Sequence, residues 1–196
     1  MKLQINVPTS NGLLAHVAQL TTVSAGLQTE LLARAEFREV AKGQHLHRAG
    51  AVCSRTYFIT KGLLRTYYVK GEKEITDFFG AEGNWITATG SFITNAPDQT
   101  YLQALEPSEV FALTNVDLLH LFDHYPEMER FGRITISQQY LQQSTRLTAM
   151  QFSSAADKYA HFCAAHRRII ARLPVGMVAT YLGIAPETLS RVRARK

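Results

Sequence analysis

Residues 173–196 read LPVGMVATYLGIAPETLSRVRARK, and this segment carries the strongest local pattern in the chain. The apolar spacing of Val175–Leu182 predicts a short helix, and Gly183 can adopt the positive φ that a sharp turn requires. Pro186 then fits the first turn of a second helix, where its missing N–H is tolerated. Two short helices joined in this way are typical of a helix-turn-helix, whose second helix lies in the major groove of DNA.

The second predicted helix presents a polar and basic face. Arginine carries two donors in a fixed fork that match O6 and N7 of guanine, and glutamate accepts from N4 of cytosine. We therefore expect Arg191 to contact a base and Arg195 to contact a phosphate. A surface helix pair that never binds DNA would share the pattern. The residues expected on this face are Glu187, Ser190, Arg191, Arg193, Arg195 and Lys196.

The basic charge of the chain is concentrated at the same end. Residues 157–196 hold eight Lys or Arg and two Asp or Glu, whereas residues 1–156 hold 13 and 14. The formal net charge of +5 therefore comes from this end. A basic end on a near-neutral body is expected of a module that neutralises phosphates. A solvated basic tail would explain the charge equally well.

Composition excludes several classes of protein. The 196 residues are 46% hydrophobic and 19% charged, and no apolar run approaches the roughly 18 residues of a membrane span. The N-terminal residues lack a signal-peptide core, so we expect a cytoplasmic protein without a membrane partner. Cys53 and Cys163 have no CxxC partner, so neither a disulfide framework nor an iron–sulfur or four-cysteine zinc site is expected.

The stretch from Phe37 to Leu113 is predicted to be rich in β-strands. Runs of β-branched and aromatic residues alternate there with glycines at turn spacing, a pattern typical of a β-sandwich or barrel. Two short helices are expected before it. The predicted strands include Arg55–Thr60, Leu63–Val69 and Glu74–Phe79, and the predicted helices are Leu13–Leu20 and Gly26–Ala35.

A long helix is predicted from Glu127 to about Met150, because this stretch has no Pro and no Gly after Gly132. Its apolar stripe is thin and is interrupted by glutamines. Such a stripe fits a helix that packs partly on its own domain and partly against a twin helix, although a plain amphipathic core helix is the alternative. The stripe consists of Met128, Phe131, Ile134, Leu141 and Leu147.

Side-chain caps are predicted for the two helices that flank the long one. Asn115 can cap a short helix over Val116–His124. The sequence from Ser154 to Asp157 has the S-x-x-D form of a capping box and precedes a predicted helix over Lys158–Ile170. The second of these helices is expected to open the C-terminal domain.

The sequence ETLSR at 187–191, directly after LGIAP, resembles the recognition helix of the Crp/Fnr family of bacterial transcription regulators, in the Fnr-like E-x-x-S-R form. YFITKGLLRTYYVKGEKEITDFFGAEG at 57–83 resembles the family's β-roll, and YPEMERFGR at 125–133 resembles the start of its dimer helix. The resemblance covers almost the whole chain. It implies an α+β fold with an N-terminal double-stranded β-roll sensor domain (1–125), a dimerisation helix (126–152) and a small helical helix-turn-helix DNA-binding domain (153–196).

The resemblance also implies partners and contacts. It implies a homodimer that binds a near-palindromic DNA site, with RNA polymerase as a further partner. Glu187, Ser190 and Arg191 are carried over as base contacts, and Thr188 as a phosphate contact. Pro186 stands where Crp-like members have an Arg. The small β wing that usually follows the recognition helix is not expected, because the sequence stops after the helix.

The resemblance does not extend to cyclic nucleotide binding. Members that bind this ligand hold the cyclic phosphate with Gly amides and an Arg–Ser or Arg–Thr pair, and the ribose with a Glu. Two glycines are kept here, but Thr87 stands at a third Gly, Ala88 at the Glu, and Asp98 and Gln99 at the Arg and Ser. We therefore predict that neither cyclic AMP nor cyclic GMP is the effector.

The sequence does not indicate which other effector the chain binds, and it does not indicate a cofactor. A remaining pocket lined by Tyr68, Trp85 and Phe92 would favour an apolar or aromatic ligand, or would be a filled core without a ligand. His120 and His124 lie one helical turn apart, as metal or haem ligands can, but no third ligand accompanies them. We expect no cofactor.

Two other functions compete with regulation. GQHLH at 43–47 suggests a cupin-like metal-dependent enzyme, because His45 and His47 are expected on one face of a strand. A cupin needs a Glu three or four residues later, where Gly50 and Ala51 stand, so we expect no enzyme activity. A regulatory module that has lost DNA binding is the other alternative.

Overall fold

The computed structural model describes the backbone of residues 7–194 and the side chains of residues 12–194. Most of the strands follow one another between two groups of helices, as expected of an α+β protein. The helices are α1 (Val7–Ala18), α2 (Ala25–Arg34), α3 (Thr89–Thr94), α4 (Asn115–His124), α5 (Pro126–Phe152), α6 (Ala155–Ala165), α7 (Val175–Leu182) and α8 (Pro186–Ala194), with a 3₁₀ turn at Ile170–Arg172. The strands are β1 (Glu36–Val40), β2 (His45–His47), β3 (Arg55–Lys61), β4 (Leu63–Lys70), β5 (Lys73–Ala81), β6 (Trp85–Ile86), β7 (Tyr101–Ala104) and β8 (Ser108–Thr114).

The strands form two four-stranded sheets, in the orders β1-β8-β3-β6 and β2-β7-β4-β5. β8 pairs antiparallel with β1 and β3, so that Phe111 stands opposite Phe37 on one side and Phe58 on the other. This double sheet is the jelly-roll-like domain that the β-rich stretch predicts. The three predicted strands lie in β3, β4 and β5, each within two residues of the observed ends.

The chain divides into two compact units, Met1–Thr66 with Phe79–Ile136, and Tyr67–Phe78 with Ser137–Lys196. We call them unit 1 and unit 2. The division cuts the β4–β5 hairpin and α5. The domain boundaries expected from the sequence, after residues 125 and 152, stay predictions.

The core of unit 1 joins the sheet β1-β8-β3-β6 to the helices that precede and follow it. Both ends of the unit contribute: α1 supplies a leucine and a valine, α2 supplies two leucines, and α5 supplies its first apolar residues. Burying a large apolar side chain completely contributes roughly 1.5–3 kcal/mol. The buried members are Leu13, Val17, Leu27, Leu31, Ala35, Phe58, Trp85, Phe111, Leu113, Leu121, Met128 and Phe131.

The long helix α5 contains a glycine, Gly132, where it packs closely against Phe122 of α4. A Cβ atom at this position would lie 2.6 Å from Cζ of Phe122 on α4. Such a distance is far below the ordinary contact of carbon atoms, so any larger residue at this position would force the Phe122 ring to move.

The cap of α4 differs from the prediction. Thr114, not Asn115, is the N-cap, and its hydroxyl accepts a hydrogen bond from the N–H of Asp117 at 3.0 Å. Thr114 has an extended backbone, whereas Asn115 is already helical, so its amide is free to donate to the carbonyl of Phe92 at 2.8 Å. The prediction was wrong by one residue because Thr and Asn are both good N-caps.

The predicted capping box begins α6, whose first residue is Ala155, but the helix ends at Ala165, earlier than predicted. Ser154 caps α6 and accepts from the N–H of Asp157. The predicted end at Ile170 was wrong, because the backbone of His166 leaves the helical region (φ −116, ψ 32). The following turn buries Ile169.

Arg146 of α5 ties together three segments of unit 2. Its guanidinium donates to the carbonyl oxygen of Asp77 at 2.9 Å and to the carbonyl oxygen of Tyr181 at 3.1 Å. It also pairs with the Asp77 carboxylate at 3.2 Å and lies 4.2 Å from the centroid of the Tyr181 ring. The Thr76 N–H donates to the hydroxyl of Thr180 at 3.2 Å. The tip of the β4–β5 hairpin, the second half of α5 and α7 are thereby joined in one unit.

Candidate functional site

The helices α7 and α8 form the first candidate site. α7 spans the predicted Val175–Leu182, and α8 begins at the predicted Pro186. Gly183 adopts a left-handed conformation (φ 65, ψ 33), and its N–H donates to the last carbonyls of α7. A Cβ atom there would lie 3.1 Å from Cε of Met150, so both the backbone and the space favour glycine. Leu189 is 1% exposed and anchors α8 through its inner face.

The outer face of α8 carries the residues that the sequence assigned to DNA. The Arg191 guanidinium donates to the Thr188 hydroxyl at 3.4 Å, so these two neighbours share one edge of the helix. Arg193 hydrogen-bonds with Tyr159 of α6 and is therefore partly engaged within the protein. Exposed positions are Glu187, Ser190, Arg191 and Arg193, and Thr188 is half-buried. The remaining two basic residues of the predicted face, Arg195 and Lys196, lie outside the described residues.

The second candidate site is the degenerate nucleotide cassette, which follows β6. Thr87 donates from its hydroxyl to the carbonyl of Arg55 at 2.9 Å. Ala88 is fully buried and stands before the first turn of α3. Both positions therefore serve the packing of unit 1. Gln99 is exposed.

Asp98 accepts several hydrogen bonds from the residues around it. Its carboxylate accepts from the Thr100 hydroxyl at 2.8 Å, from the Thr100 N–H at 3.0 Å and from the Ser91 N–H at 3.3 Å. It also pairs with Nε2 of the buried His47 at 3.3 Å. Burial alone would raise the pKa of Asp98, but the hydrogen bonds from Thr100, His47 and Ser91 outweigh it and hold the pKa below its ordinary value. A carboxylate of the chain itself thus occupies the donors around the start of α3.

The expected pocket residues do not form one cluster. Trp85 belongs to the main core of unit 1, where its ring lies 5.4 Å from Phe58 and 6.2 Å from Phe131. Phe92 packs in a smaller cluster with Cys53 and Ala88. Tyr68 is 40% exposed. Trp85 and Phe92 are therefore core residues of separate clusters. This fits the second alternative from the sequence, a filled core without a ligand.

The two histidines of the GQHLH segment have different neighbours. His47 is buried against Asp98, whereas the ring of His45 packs edge-on against Tyr101 at 6.0 Å. A break in the register of β2 against β7 lies between them, so the simple alternation expected for a regular strand does not hold. In the described part of the chain, histidine, cysteine and acidic side chains nowhere gather in groups of three or more that suit a metal ion.

The apolar stripe of α5 is divided between two roles. Met128 and Phe131 are buried in the core of unit 1, and Ile134 is half-buried. Leu141 is 64% exposed. The start of the stripe packs on its own unit, as the sequence predicts for one part of it, and contact of the exposed part with a twin helix stays a prediction.

A second stripe of α5, which sequence reasoning missed apart from Leu147, is exposed along its length. Ile136, Tyr140, Gln143, Leu147 and Met150 follow one another at intervals of four, three, four and three residues. This is the spacing of the a and d positions of a coiled coil. The exposed fractions are 60% for Ile136, 71% for Tyr140, 58% for Leu147 and 38% for Met150. We call these five residues the α5 seam; its heptad spacing is the signal that would have found it.

The double sheet has a recognised relative. Residues 37–125 match the family described as cyclic nucleotide-binding domain. No curated protein sequence matches the chain. Among residues 7–194, no helix combines the length and the hydropathy that crossing a bilayer requires.

Solved structures share the fold over most of the chain. The c-di-GMP responsive global regulator CLP of Xanthomonas campestris is similar with a TM-score of 0.71 and 16% identity, over 88% of this chain and 91% of that one. FixK2 of Bradyrhizobium japonicum has a TM-score of 0.72 and 14% identity, over 82% and 83%. A protein of Eubacterium rectale assigned to the Crp/Fnr family of transcriptional regulators has a TM-score of 0.69 and 13% identity, over 88% and 83%. The chain therefore has the fold of Crp/Fnr regulators.

Proposed function

We propose that the chain is a sequence-specific DNA-binding transcription regulator that acts as a homodimer, and that its sensor domain does not bind cyclic nucleotides. The observation that carries the proposal is the outer face of α8, where Glu187, Ser190 and Arg191 are exposed together on a helix anchored by Leu189. The shared fold with Crp/Fnr regulators supports it.

In the proposed complex α8 enters the major groove as the second helix of a helix-turn-helix. The guanidinium of Arg191 donates two hydrogen bonds to a guanine, and the carboxylate of Glu187 accepts one from a cytosine. Thr188, Arg193 and Arg195 contact phosphates, which position the helix without reading sequence. The net positive charge of residues 157–196 supports binding to the phosphate backbone.

The homodimer forms through the α5 seam. Four of its five residues are large and apolar and are substantially exposed, and exposed apolar stripes of this kind mark interaction surfaces. Pairing with the same seam of a second copy would bury them in a parallel coiled coil. Two-fold symmetry then implies a near-palindromic DNA site with half-sites about 34 Å apart. RNA polymerase is proposed as a further partner from the family resemblance alone.

The absence of cyclic nucleotide binding is proposed from Asp98 and Ala88. The carboxylate of Asp98 already takes the N–H of Ser91 and the donors of Thr100. A cyclic phosphate in the same place would meet a negative charge instead of an arginine. Ala88, fully buried, offers no acceptor for a ribose hydroxyl.

A regulator is favoured over a cupin-like enzyme. The pair His45 and His47 would have to converge on one ion, but His47 is engaged with Asp98 and His45 packs on Tyr101. The fold neighbours CLP and the Eubacterium rectale protein are described as regulators.

The test is selection of DNA from a random duplex library by the full chain. We expect enrichment of a near-palindrome with half-sites about one helical turn apart. The double variant Glu187→Gln/Arg191→Ala should lose this enrichment, while Glu129→Gln on the exposed surface of α5 should retain it. Absence of any enriched sequence with the unaltered chain would contradict DNA recognition.

A further inference from the structure

A cavity of about 740 Å³ lies within unit 2 and has no part in the proposed DNA contacts. Its walls come from the second half of α5, from α6 and from the end of α7, all of which belong to this one unit. Small-molecule sites usually measure about 300–1,000 Å³ and are lined by apolar side chains with a few polar groups. The cavity has the size of such a site.

The floor of the cavity is aromatic. Phe162 and Tyr181 are almost completely buried, and their ring centroids lie 5.2 Å apart. The imidazole of His166 lies 4.5 Å from the ring of Phe162. Burial lowers the pKa of His166, so at neutral pH the ring is uncharged and acts as a third flat wall. The three rings pack on one another, and the Arg146 guanidinium lies over the Tyr181 ring, so the floor is a rigid apolar base of the cavity.

The charged side chains around the cavity are all basic. They are Arg146 and Lys158, and no acidic residue is among the described residues that line the cavity. Arg146 is engaged with Asp77 and Tyr181, which leaves the half-buried Lys158 as the cation that can meet a ligand. A single cation beside an apolar cavity favours a ligand with one anionic group on an apolar body.

We propose that this cavity binds an apolar organic anion, with its apolar body against the exposed side chains of Leu141, Met150 and Phe152 on α5 and its acidic group at Lys158. The ligand would touch α5, α6 and α7 at once and would fix the α7–α8 pair against the end of α5. Its effect on DNA rests on the proposed function, whereas its binding does not. The site belongs to unit 2, whereas Thr87, Ala88, Asp98 and Gln99 belong to unit 1.

The test uses two fluorescent probes that share one ring system. 1-Anilinonaphthalene-8-sulfonate carries a negative charge, and N-phenyl-1-naphthylamine is its neutral counterpart. Titrated against the full chain, the anionic probe should bind saturably and several-fold more tightly than the neutral one. Lys158→Gln should weaken the anionic probe by roughly three- to tenfold and leave the neutral probe unchanged.

Two further variants locate the site. Ala149→Phe fills the cavity from α5 and Ala165→Phe fills it from α6, and each should abolish binding of both probes while the far-ultraviolet circular dichroism is kept. Ile93→Ser removes an apolar side chain that is 70% exposed in unit 1 and should change nothing. If the filling variants fail to fold, Lys158→Gln decides alone.

Three results would overturn the proposal. One is equal affinity for the two probes, with no effect of Lys158→Gln. Another is unchanged binding in a folded filling variant. The third is loss of probe binding as the protein concentration rises and light scattering reports a dimer, since a second copy would then occupy the cavity. DNA selection with the same protein reports separately on the proposed function.

Discussion

At the scale of single residues, Asp98 is a partly buried carboxylate that is held by several donors of the chain itself. Two N–H groups, one hydroxyl and one imidazole converge on it. Asp98→Ala would leave these donors without their acceptor. We expect a loss of about 1–3 kcal/mol in the free energy of unfolding at neutral pH, measured by denaturant titration.

The pH dependence of that loss follows from the direction of the pKa shift. The pKa of folded Asp98 lies below its ordinary value, so its contribution is complete above the unfolded pKa of about 3.9 and disappears as the pH falls through the folded pKa. The stability gap between the wild type and Asp98→Ala should therefore narrow below about pH 4. Asp123→Ala, at an exposed position of α4, serves as the control. A gap that stays constant into the acid range would contradict the role of the charge.

Arg191 and Arg195 are predicted to have different roles in DNA binding. Arg191→Ala should abolish sequence preference while leaving the salt dependence nearly unchanged, because a base edge carries no counterions. Arg195→Ala should weaken binding to all DNA and flatten the plot of log affinity against log salt by about 0.9. Anisotropy titrations at several salt concentrations measure both. Equal effects of the two substitutions on specific and random DNA would refute the assignment.

Turns and caps could be predicted from the sequence where only one residue type suits the position. They were predicted less well where two neighbouring residues both suit it. Gly183 and Pro186 mark the turn because only glycine suits the left-handed backbone and proline fits a first turn. Asn115 and Thr114 are adjacent good caps, so the sequence could not choose between them. The hydrogen bonds of Asp98 depend on His47, which is 51 positions away, and no local pattern encodes such a contact.

At the scale of helices and turns, the α7–α8 turn depends on glycine for two independent reasons. Gly183→Ala would place a Cβ on a left-handed backbone and 3.1 Å from Met150. We expect a loss of about 1 kcal/mol or more, seen as a lower Tm by circular dichroism.

Gly176 provides the matched control in the same unit. It lies inside α7, has no positive φ, and a Cβ there would meet nothing within 4 Å. Gly176→Ala should therefore raise the stability by about 0.4–1 kcal/mol. A lower Tm in both variants would show that the backbone argument for Gly183 is wrong.

For the long helix α5, the sequence predicts the extent of the helix but not which of its faces is buried. Its existence and extent could be predicted because a run without proline favours helix. Its faces could not be assigned, since Met128 and Phe131 look like Tyr140 and Leu147 in a local window. Only the packing of unit 1 removes the first pair from the surface and leaves the second pair exposed.

At the scale of the whole molecule, dimerisation should depend on the α5 seam. Two glutamates introduced as Tyr140→Glu/Leu147→Glu would place like charges opposite one another across a symmetric pair of helices. We expect a monomer at micromolar concentration by light scattering, with loss of tight binding to the palindrome. Gln138→Glu, exposed on the opposite face of α5, should leave the dimer intact. A monomer in the unaltered chain would contradict the proposed homodimer.

Residues 37–125 match a family described as cyclic nucleotide-binding domain, yet we propose from the residues of this segment that it binds no cyclic nucleotide. The family resemblance aligns Asp98 with the Arg that neutralises the cyclic phosphate, so we predict a carboxylate where a binding site would need a cation. Losing one charge-assisted contact costs roughly 1.5–3 kcal/mol, before any repulsion is counted. Ala88 removes the ribose acceptor as well, so affinity should fall by at least about two to three powers of ten.

Calorimetric titration of the full chain with cyclic AMP and cyclic GMP tests this directly, and we expect no heat of binding at micromolar protein. Asp98→Ser is the informative variant, because it removes the repelling charge without supplying an arginine or a ribose acceptor. It should therefore remain unable to bind at these concentrations. Micromolar binding by the unaltered chain that also shifts its affinity for DNA would mean that the fold accommodates the nucleotide by other contacts. Binding that appears only in Asp98→Ser would instead identify this single carboxylate as the barrier.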